Sequence, residues 1–321
     1  MPTSEKPKSP QLRFGIGEWY GTSFAALPME ERRRLAEIQV LPKSQRPVLR
    51  CPFQSTLGRS VACNKPSGTC SFRLYEKSRQ TGDVTPAAGE AGGLRTFCPK
   101  RFEEGRIIHR WVGETVLRCA KPAEVEEIGF LERPPTEAAA KKPGGSVGRI
   151  DKVLVVPGAD PLSWCALEVQ AVYFSGKGMK DEFAAILNHR DNSLPFPLYV
   201  RRPDYRSSAP KRLMPQLQIK VPSLRRWGKK MAVVVDRSFF QAMGEMRTVP
   251  DISSCDVAWF VVAFQQVAGA YRLVPDAVRY TTLEDSVLGL TAGVPVSLEV
   301  FEKRILAKLK RPSGPPEVAT D

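Results

Sequence analysis

The spacing most suited to chemistry in this chain is Asp151 followed by Glu168-Val169-Gln170. Side chains of an extended strand alternate between faces. In Trp164-Cys165-Ala166-Leu167-Glu168-Val169-Gln170-Ala171, Cys165, Leu167, Val169 and Ala171 therefore turn one way, and Glu168 and Gln170 turn the other. Asp151 lies at the start of the preceding apolar run, Ile150-Asp151-Lys152-Val153-Leu154-Val155-Val156. Antiparallel pairing of the two segments would carry it to the face holding Glu168 and Gln170. Two carboxylates on neighbouring strands suit a hard divalent cation such as Mg2+, which keeps waters and substrate phosphates as its other ligands. Such an ion lowers the pKa of a bound water and stabilises charge on a phosphodiester under attack. An amide does not titrate, so Gln170 is fitted to orient a water or a phosphate, not to serve as a base. The same residues also describe the ordinary polar face of a half-buried strand, and spacing alone leaves both readings open.

A second group with ligand chemistry is Cys51, Cys63, Cys70 and Cys98, spaced C-x11-C-x6-C-x27-C. No pair forms a C-x2-C knuckle, so the spacing is a weak zinc signature. Cys63, Cys70 and Cys98 nevertheless sit among turn-forming polar residues, where buried apolar thiols are uncommon. Cys119, Cys165 and Cys255 lie on apolar stretches and read as core. Seven cysteines, an odd number, with no expected export signal, argue against a disulfide framework.

The third group is basic. Residues 201–230 carry Arg201, Arg202, Arg206, Lys211, Arg212, Lys220, Arg225, Arg226, Lys229 and Lys230 against one acid, Asp204, with Gln216 among them. Arginine forks match phosphate and the O6 and N7 edge of guanine, so the segment reads as a DNA contact. The whole chain of 321 residues has 48 Lys plus Arg against 34 Asp plus Glu, a formal charge of +14, which raises the local concentration of polyanions.

These groups need a scaffold. With 42% hydrophobic residues the chain can bury a core. Its longest apolar run is the eight residues 257–264, far below the ~20 of a membrane span. The first twelve residues are polar, with no apolar stretch after the lysines, so a soluble cytoplasmic protein is expected. Residues 1–12 read as a loose tail, 14–20 as an aromatic-packed turn, and 28–42 as a helix. Residues 82–93 and 133–148 read as flexible loops, 107–117 as a strand and 122–131 as a short helix. Strands are expected over 149–156, 164–173, 231–236 and 259–264. A helix is expected over 179–187, and the chain should finish in an amphipathic helix striped by Leu298, Phe301, Ile305 and Leu309, with a tail from 311. Expected boundaries are an amino-terminal region 13–105 and a core 106–310 containing a basic insertion, 190–230.

The stretch 149–176, with Asp151, Glu168 and Gln170, resembles the nuclease motif of the NotI family of type II restriction endonucleases, in the PD-(D/E)xK superfamily. Glutamine in place of the superfamily's lysine is typical of that branch. The resemblance extends through Arg201-Arg202-Pro203-Asp204-Tyr205-Arg206-Ser207-Ser208, residues 211–217 and 227–231, and upstream to Cys51-Pro52-Phe53, Cys70-Ser71 and Cys98-Pro99, covering roughly residues 14–265. It implies an α/β restriction-endonuclease-like core: a mixed sheet flanked by helices, with an amino-terminal subdomain. It further implies Mg2+-dependent hydrolysis of double-stranded DNA at a palindromic, GC-rich site by a homodimer, with a partner DNA methyltransferase. Asp151 and Glu168 would match the metal-binding carboxylates and Gln170 the positioning residue. A glutamate on a helix before the Asp strand is also implied, with Glu127 as candidate beside Glu124 and Glu126. Cys51, Cys63, Cys70 and Cys98 would match a structural four-cysteine site holding iron, or zinc, which tetrahedral sulfur suits equally. The competing readings are a non-catalytic, metal-stapled DNA-binding protein and a repair or RNA-directed nuclease on the same core.

Overall fold

The computed structural model describes residues 9–55, 59–132, 146–291, 293 and 296–309. Its amino-terminal part is a small antiparallel sheet of β1 (Gln11–Trp19), β2 (Thr22–Ser23), β3 (Thr69–Lys77), β4 (Val84–Pro86) and β5 (Arg95–Thr96), with helix α1 (Met29–Val40) between β2 and β3. Alternate residues of β1 and β3 bury Ile16 and Tyr75, and with Trp19 and Phe24 they form one apolar cluster with Leu35 of α1. Residues 14–20, expected as a turn, are thus mostly strand, and the turn itself falls at Tyr20 and Gly21, both at positive φ. Gln11 and Leu12 belong to β1 and not to a tail; residues 1–8 lie outside the described residues.

After α2 (Ile107–Val112) the chain enters a six-stranded mixed sheet. Its strands are β6 (Ala123–Glu132), β7 (Ser146–Val155), β8 (Trp164–Val169), β11 (Met231–Asp236), β12 (Val257–Val267) and β13 (Ala270–Thr281). Their order across the sheet is β13-β12-β11-β8-β7-β6. The pairs β6–β7, β7–β8 and β12–β13 are antiparallel, whereas β11 runs parallel to both β8 and β12. Between β8 and β11 lie the small hairpin partners β9 (Tyr173–Ser175) and β10 (Arg202–Asp204), and helices α3 (Lys180–Asn188), α4 (Tyr205–Ser208) and α5 (Met214–Arg226). Then α6 (Arg237–Ala242) follows β11, and α7 (Leu283–Thr291) and α8 (Leu298–Leu309) follow β13.

Both faces of the large sheet are covered, as expected for a sheet with parallel strands. One face packs Val153, Ala166, Val233 and Trp259 against Leu217, Val221 and Leu224 of α5 and Phe239 of α6. The other packs Leu154, Leu167, Val234 and Phe260 against Phe102, Ile108 and Val112. This is the mixed α/β sheet with flanking helices expected from the sequence. Residues 214–226, expected within a basic insertion, are the helix that covers the sheet.

Two further local expectations, around the large sheet, are overturned. Residues 107–117 are helical, a short α-helix followed by a wider π turn over Gly113–Leu117, because packing of Ile108 and Val112 on the sheet outweighs β propensity. Residues 123–132, expected as helix, form β6. β6 is an edge strand whose Glu126, Glu127 and Glu132 face solvent, and charge on an edge discourages pairing with other chains.

The two sheets are tied together. α3 crosses back to pack Phe183 and Ile186 on the small sheet, so the boundary expected at residue 105 is bridged by later chain. Arg101 is fully buried and binds Glu18 of β1 at 2.9 Å while donating to the carbonyl of Tyr271 in β13 at 3.1 Å. Asp236, at the end of β11, accepts from the backbone of Thr96 at 2.7 Å and caps α6 through Phe239. Residues 133–145, in an expected loop, and 310–321, with the expected tail, lie outside the described residues. No helix among the described residues is long and apolar enough to cross a membrane.

Candidate active site

The ladder between β7 and β8 pairs Lys152 with Leu167 and Val153 with Ala166. One position further, Asp151 stands opposite Glu168 on the face covered by α5, where directly paired side chains approach each other closely. The two carboxyls are near enough to hydrogen-bond when Glu168 carries a proton. Asp151 is largely open to solvent, with a side chain 58% exposed, whereas that of Glu168 is 5% exposed. The juxtaposition inferred from alternation is therefore present, with one carboxylate accessible and one sunk beneath it.

Burial pushes the Glu168 carboxyl up to about 7, and the neighbouring Asp151 charge adds to the rise. The opposing influence is Lys220. Its ammonium, on α5, lies 2.7 Å from Glu168 Oε2, 3.6 Å from Asp151 Oδ2 and 2.6 Å from Gln216 Oε1. Gln170 is buried just beyond the end of β8; its backbone donates to Val234 and its amide to the carbonyl of Ala171 at 2.6 Å. The site thus gathers two carboxylates, one ammonium and the amide of Gln216, with the Gln170 amide turned to a neighbouring carbonyl just past the strand.

Glu127 is placed differently from expectation. It lies on β6 at positive φ, level with Asp151, between the pairs Glu126–Lys152 and Ile128–Ile150, and its exposed carboxylate is 3.1 Å from Arg149. It stands on a strand and not on a helix.

The basic segment divides in two. Arg201 is buried against Glu182 at 2.7 Å and donates to the carbonyls of Lys177 and Gly178. Lys220 is buried at the carboxylates, and Gln216 is engaged with it. Arg225 pairs with Asp256 and Glu284, Lys229 donates to the carbonyl of Leu162, and Lys230 donates to those of Ser253 and Cys255. Arg202, Arg206, Lys211, Arg212 and Arg226 are exposed. Arg212 stacks 3.6 Å from the Tyr173 ring, three residues beyond Gln170, and the Tyr173 backbone donates to Ser208. These two contacts hold residues 208–212 against β9, the strand that follows β8. Charge counting treated all ten alike; only their neighbours separate them.

Cys51, Cys70 and Cys98 are buried, Cys63 half-buried, and the charges of the four influence one another. Burial raises the thiols of Cys63, Cys70 and Cys98. Lys65 sits among them, 3.6 Å from the Phe97 ring. The distant positions do converge, but among the described residues the set of three or more metal-type ligands with donor atoms all within 4.8 Å is Glu103, His109 and Glu124, and not the thiols. Cys165 and Cys255 are buried as expected; Cys119 is half-buried instead of core.

No curated protein, compared one by one, matches the chain. The family model of the restriction endonuclease NotI matches residues 36–273, which span the four cysteines, both carboxylate strands and the basic segment. The chain belongs to the NotI family and is a type II restriction endonuclease.

Proposed function

We propose that the chain cuts both strands of a palindromic duplex by Mg2+-dependent attack of water, at the face that joins Asp151 and Glu168. The observation carrying this reading is the cross-strand contact of those carboxyls beneath an accessible surface. Their donors are hard oxygens, and Asp151 leaves room for water and phosphate, so the residues fit Mg2+. When bound, the ion supplies Lewis acidity and an acidified water. Asp151 and Glu168 would hold it. Gln170 would orient the attacking water or the scissile phosphate through its amide once released from Ala171. Lys220 opposes the upward push of burial on the Glu168 carboxyl and supplies, from a helix, the positive charge that glutamine at position 170 lacks.

Arg206, Lys211 and Arg212 would meet the phosphates flanking the cut, with base edges of a GC-rich site within arginine's repertoire. Two-fold symmetry of such a site calls for two copies of the chain. A host DNA methyltransferase would protect the same sequence. The converged thiols of Cys51, Cys63, Cys70 and Cys98 would close on iron or zinc, stapling a region with little regular structure between α1 and β3 and from β5 to Pro99.

Plasmid and genomic DNA incubated with Mg2+ test the reading. Discrete fragments with one shared end sequence are expected, and Glu168→Ala should abolish them while retaining DNA binding. Binding without nicking by the parent protein would instead identify a non-catalytic DNA-binding protein, and a smear or cleaved RNA a repair or RNA-directed nuclease.

A further inference from the structure

Lys152 follows Asp151 on β7 and so faces the opposite side of the sheet. Its ammonium binds Glu103 Oε1 at 2.6 Å and Glu124 Oε1 at 2.7 Å. The second oxygens of both carboxylates are left, and they converge on His109 Nε2. Glu103 Oε2 is 3.6 Å from it, and Glu124 Oε2 touches it. His109 is 2% exposed; its Nε2 meets Glu124 Oε2 in an ion-pair contact, while Nδ1 is buried without a hydrogen-bond partner. Arg106, on the solvent side, is 3.8 Å from that oxygen.

We propose that Glu103, His109 and Glu124 form a divalent-cation site separate from the Asp151–Glu168 pair. Three arguments support it. The three donor atoms lie within 4.8 Å of one another. The imidazole is buried and its second nitrogen, Nδ1, has no hydrogen-bond partner, so the contact with Glu124 alone leaves the ring incompletely satisfied. Three carboxylates, Glu103, Glu124 and Glu126, against Lys152 and Arg106 leave a net negative charge when the imidazole is neutral. One nitrogen with two carboxylate oxygens suits Mn2+ or Zn2+ better than Mg2+, which favours all-oxygen surroundings.

The site opens on a cavity of about 680 Å³ whose walls include Phe53, Arg59, Lys100 and Arg106. An ion with three protein ligands keeps positions for water or an anion, and these cations favour the anion. Glu103 and His109 come from the stretch before β6, and Glu124 from β6 itself, so the ion would fasten that stretch to the sheet edge. The rival account of the same geometry is a protonated His109 in an ion-pair network with Lys152.

Mn2+ alone is the probe, since it competes poorly for thiolates. Crystals of the unmodified full chain soaked in Mn2+ should show an anomalous peak between the three side chains, distinct in position from any peak at Asp151. In solution, with Glu168→Ala removing the other carboxylate site, Mn2+ should broaden the ring resonances of His109 selectively. The chain has 2 histidines, so His189→Gln assigns them. One Mn2+ per chain is expected to remain in Glu168→Ala and to be lost when His109→Gln is added. No peak, together with ring signals indifferent to Mn2+, would overturn the proposal in favour of the protonated ion pair. The diffraction measurement and the broadening measurement require no change at the cluster, so neither depends on whether His109→Gln folds.

Discussion

Lys220 and Glu168, 52 residues apart in the chain, hold their charged atoms 2.7 Å apart on the side of the sheet where Asp151 faces Glu168. Each alone would be an uncompensated buried charge, so α5 and β8 are fixed to each other by a mutual electrostatic need.

Lys220→Met should cut DNA about 10²–10³-fold more slowly under single-turnover conditions, the range lost when one preorganised charge-stabilising donor is removed. Its affinity for cognate duplex should change little, because the ammonium is buried. Mn2+ binding at the Asp151–Glu168 pair should strengthen, since a competing cation has gone. Lys220→Arg retains the charge and should recover part of the rate. Weakened DNA binding at unchanged single-turnover rate would show that Lys220 serves only as a phosphate contact.

The Glu168 carboxyl, pushed up to about 7 by burial, must lose a proton before it can hold a cation. Below about 7 a proton therefore competes with Mg2+, and above it Mg2+ competes with nothing but Lys220. Calorimetry in buffers of different ionisation enthalpy should detect a proton released on Mg2+ uptake at pH 6 and none at pH 8.5, values chosen about a unit or more either side of the transition. The Mg2+ needed for half-maximal cleavage should fall as pH rises through the same range. Proton release that is identical at both values would show that Glu168 is ionised throughout.

Arg201→Ala should destabilise the protein by about 3–5 kcal/mol in denaturant unfolding, because Glu182 would be left buried and unpaired. It should leave the salt dependence of DNA binding unchanged. A DNA-contacting role would give the reverse pattern: normal stability and a shallower salt slope.

Arg206 and Lys230, both counted as DNA contacts from sequence, should separate. Arg206 is exposed, and Arg206→Ala is expected to reduce preference for the cognate site over random duplex. Lys230 donates to two backbone carbonyls, and Lys230→Ala should lower the melting temperature while leaving binding to both duplexes intact. Equal loss of binding to cognate and random DNA by both variants would contradict this division.

How much could be read without a structure varied with the range of the determining contacts. β7, β8, β11 and β12 announce themselves because alternation or continuous apolarity is a local property, and one register step then sets Asp151 against Glu168. α2 and β6 were misassigned for the opposite reason. Ile107, Ile108 and Val112 carry strand propensity, and Glu124, Glu126 and Glu127 look like an exposed helix face, but burial on the sheet decides the first and the sheet's edge position decides the second.

The amino-acid order by itself determined the carboxylate pair, the neighbouring glutamine, the central apolar strands and the basic character of residues 201–230, since each rests on residues adjacent or alternating in the chain. Only the tertiary structure decided which of those basic residues are buried partners and which face solvent. Only it brought Lys220 to Glu168, and His109 to Glu103 and Glu124. A side chain's charge is written in its identity, but its function depends on which distant atoms folding places within a few ångströms of it, and on whether water remains there.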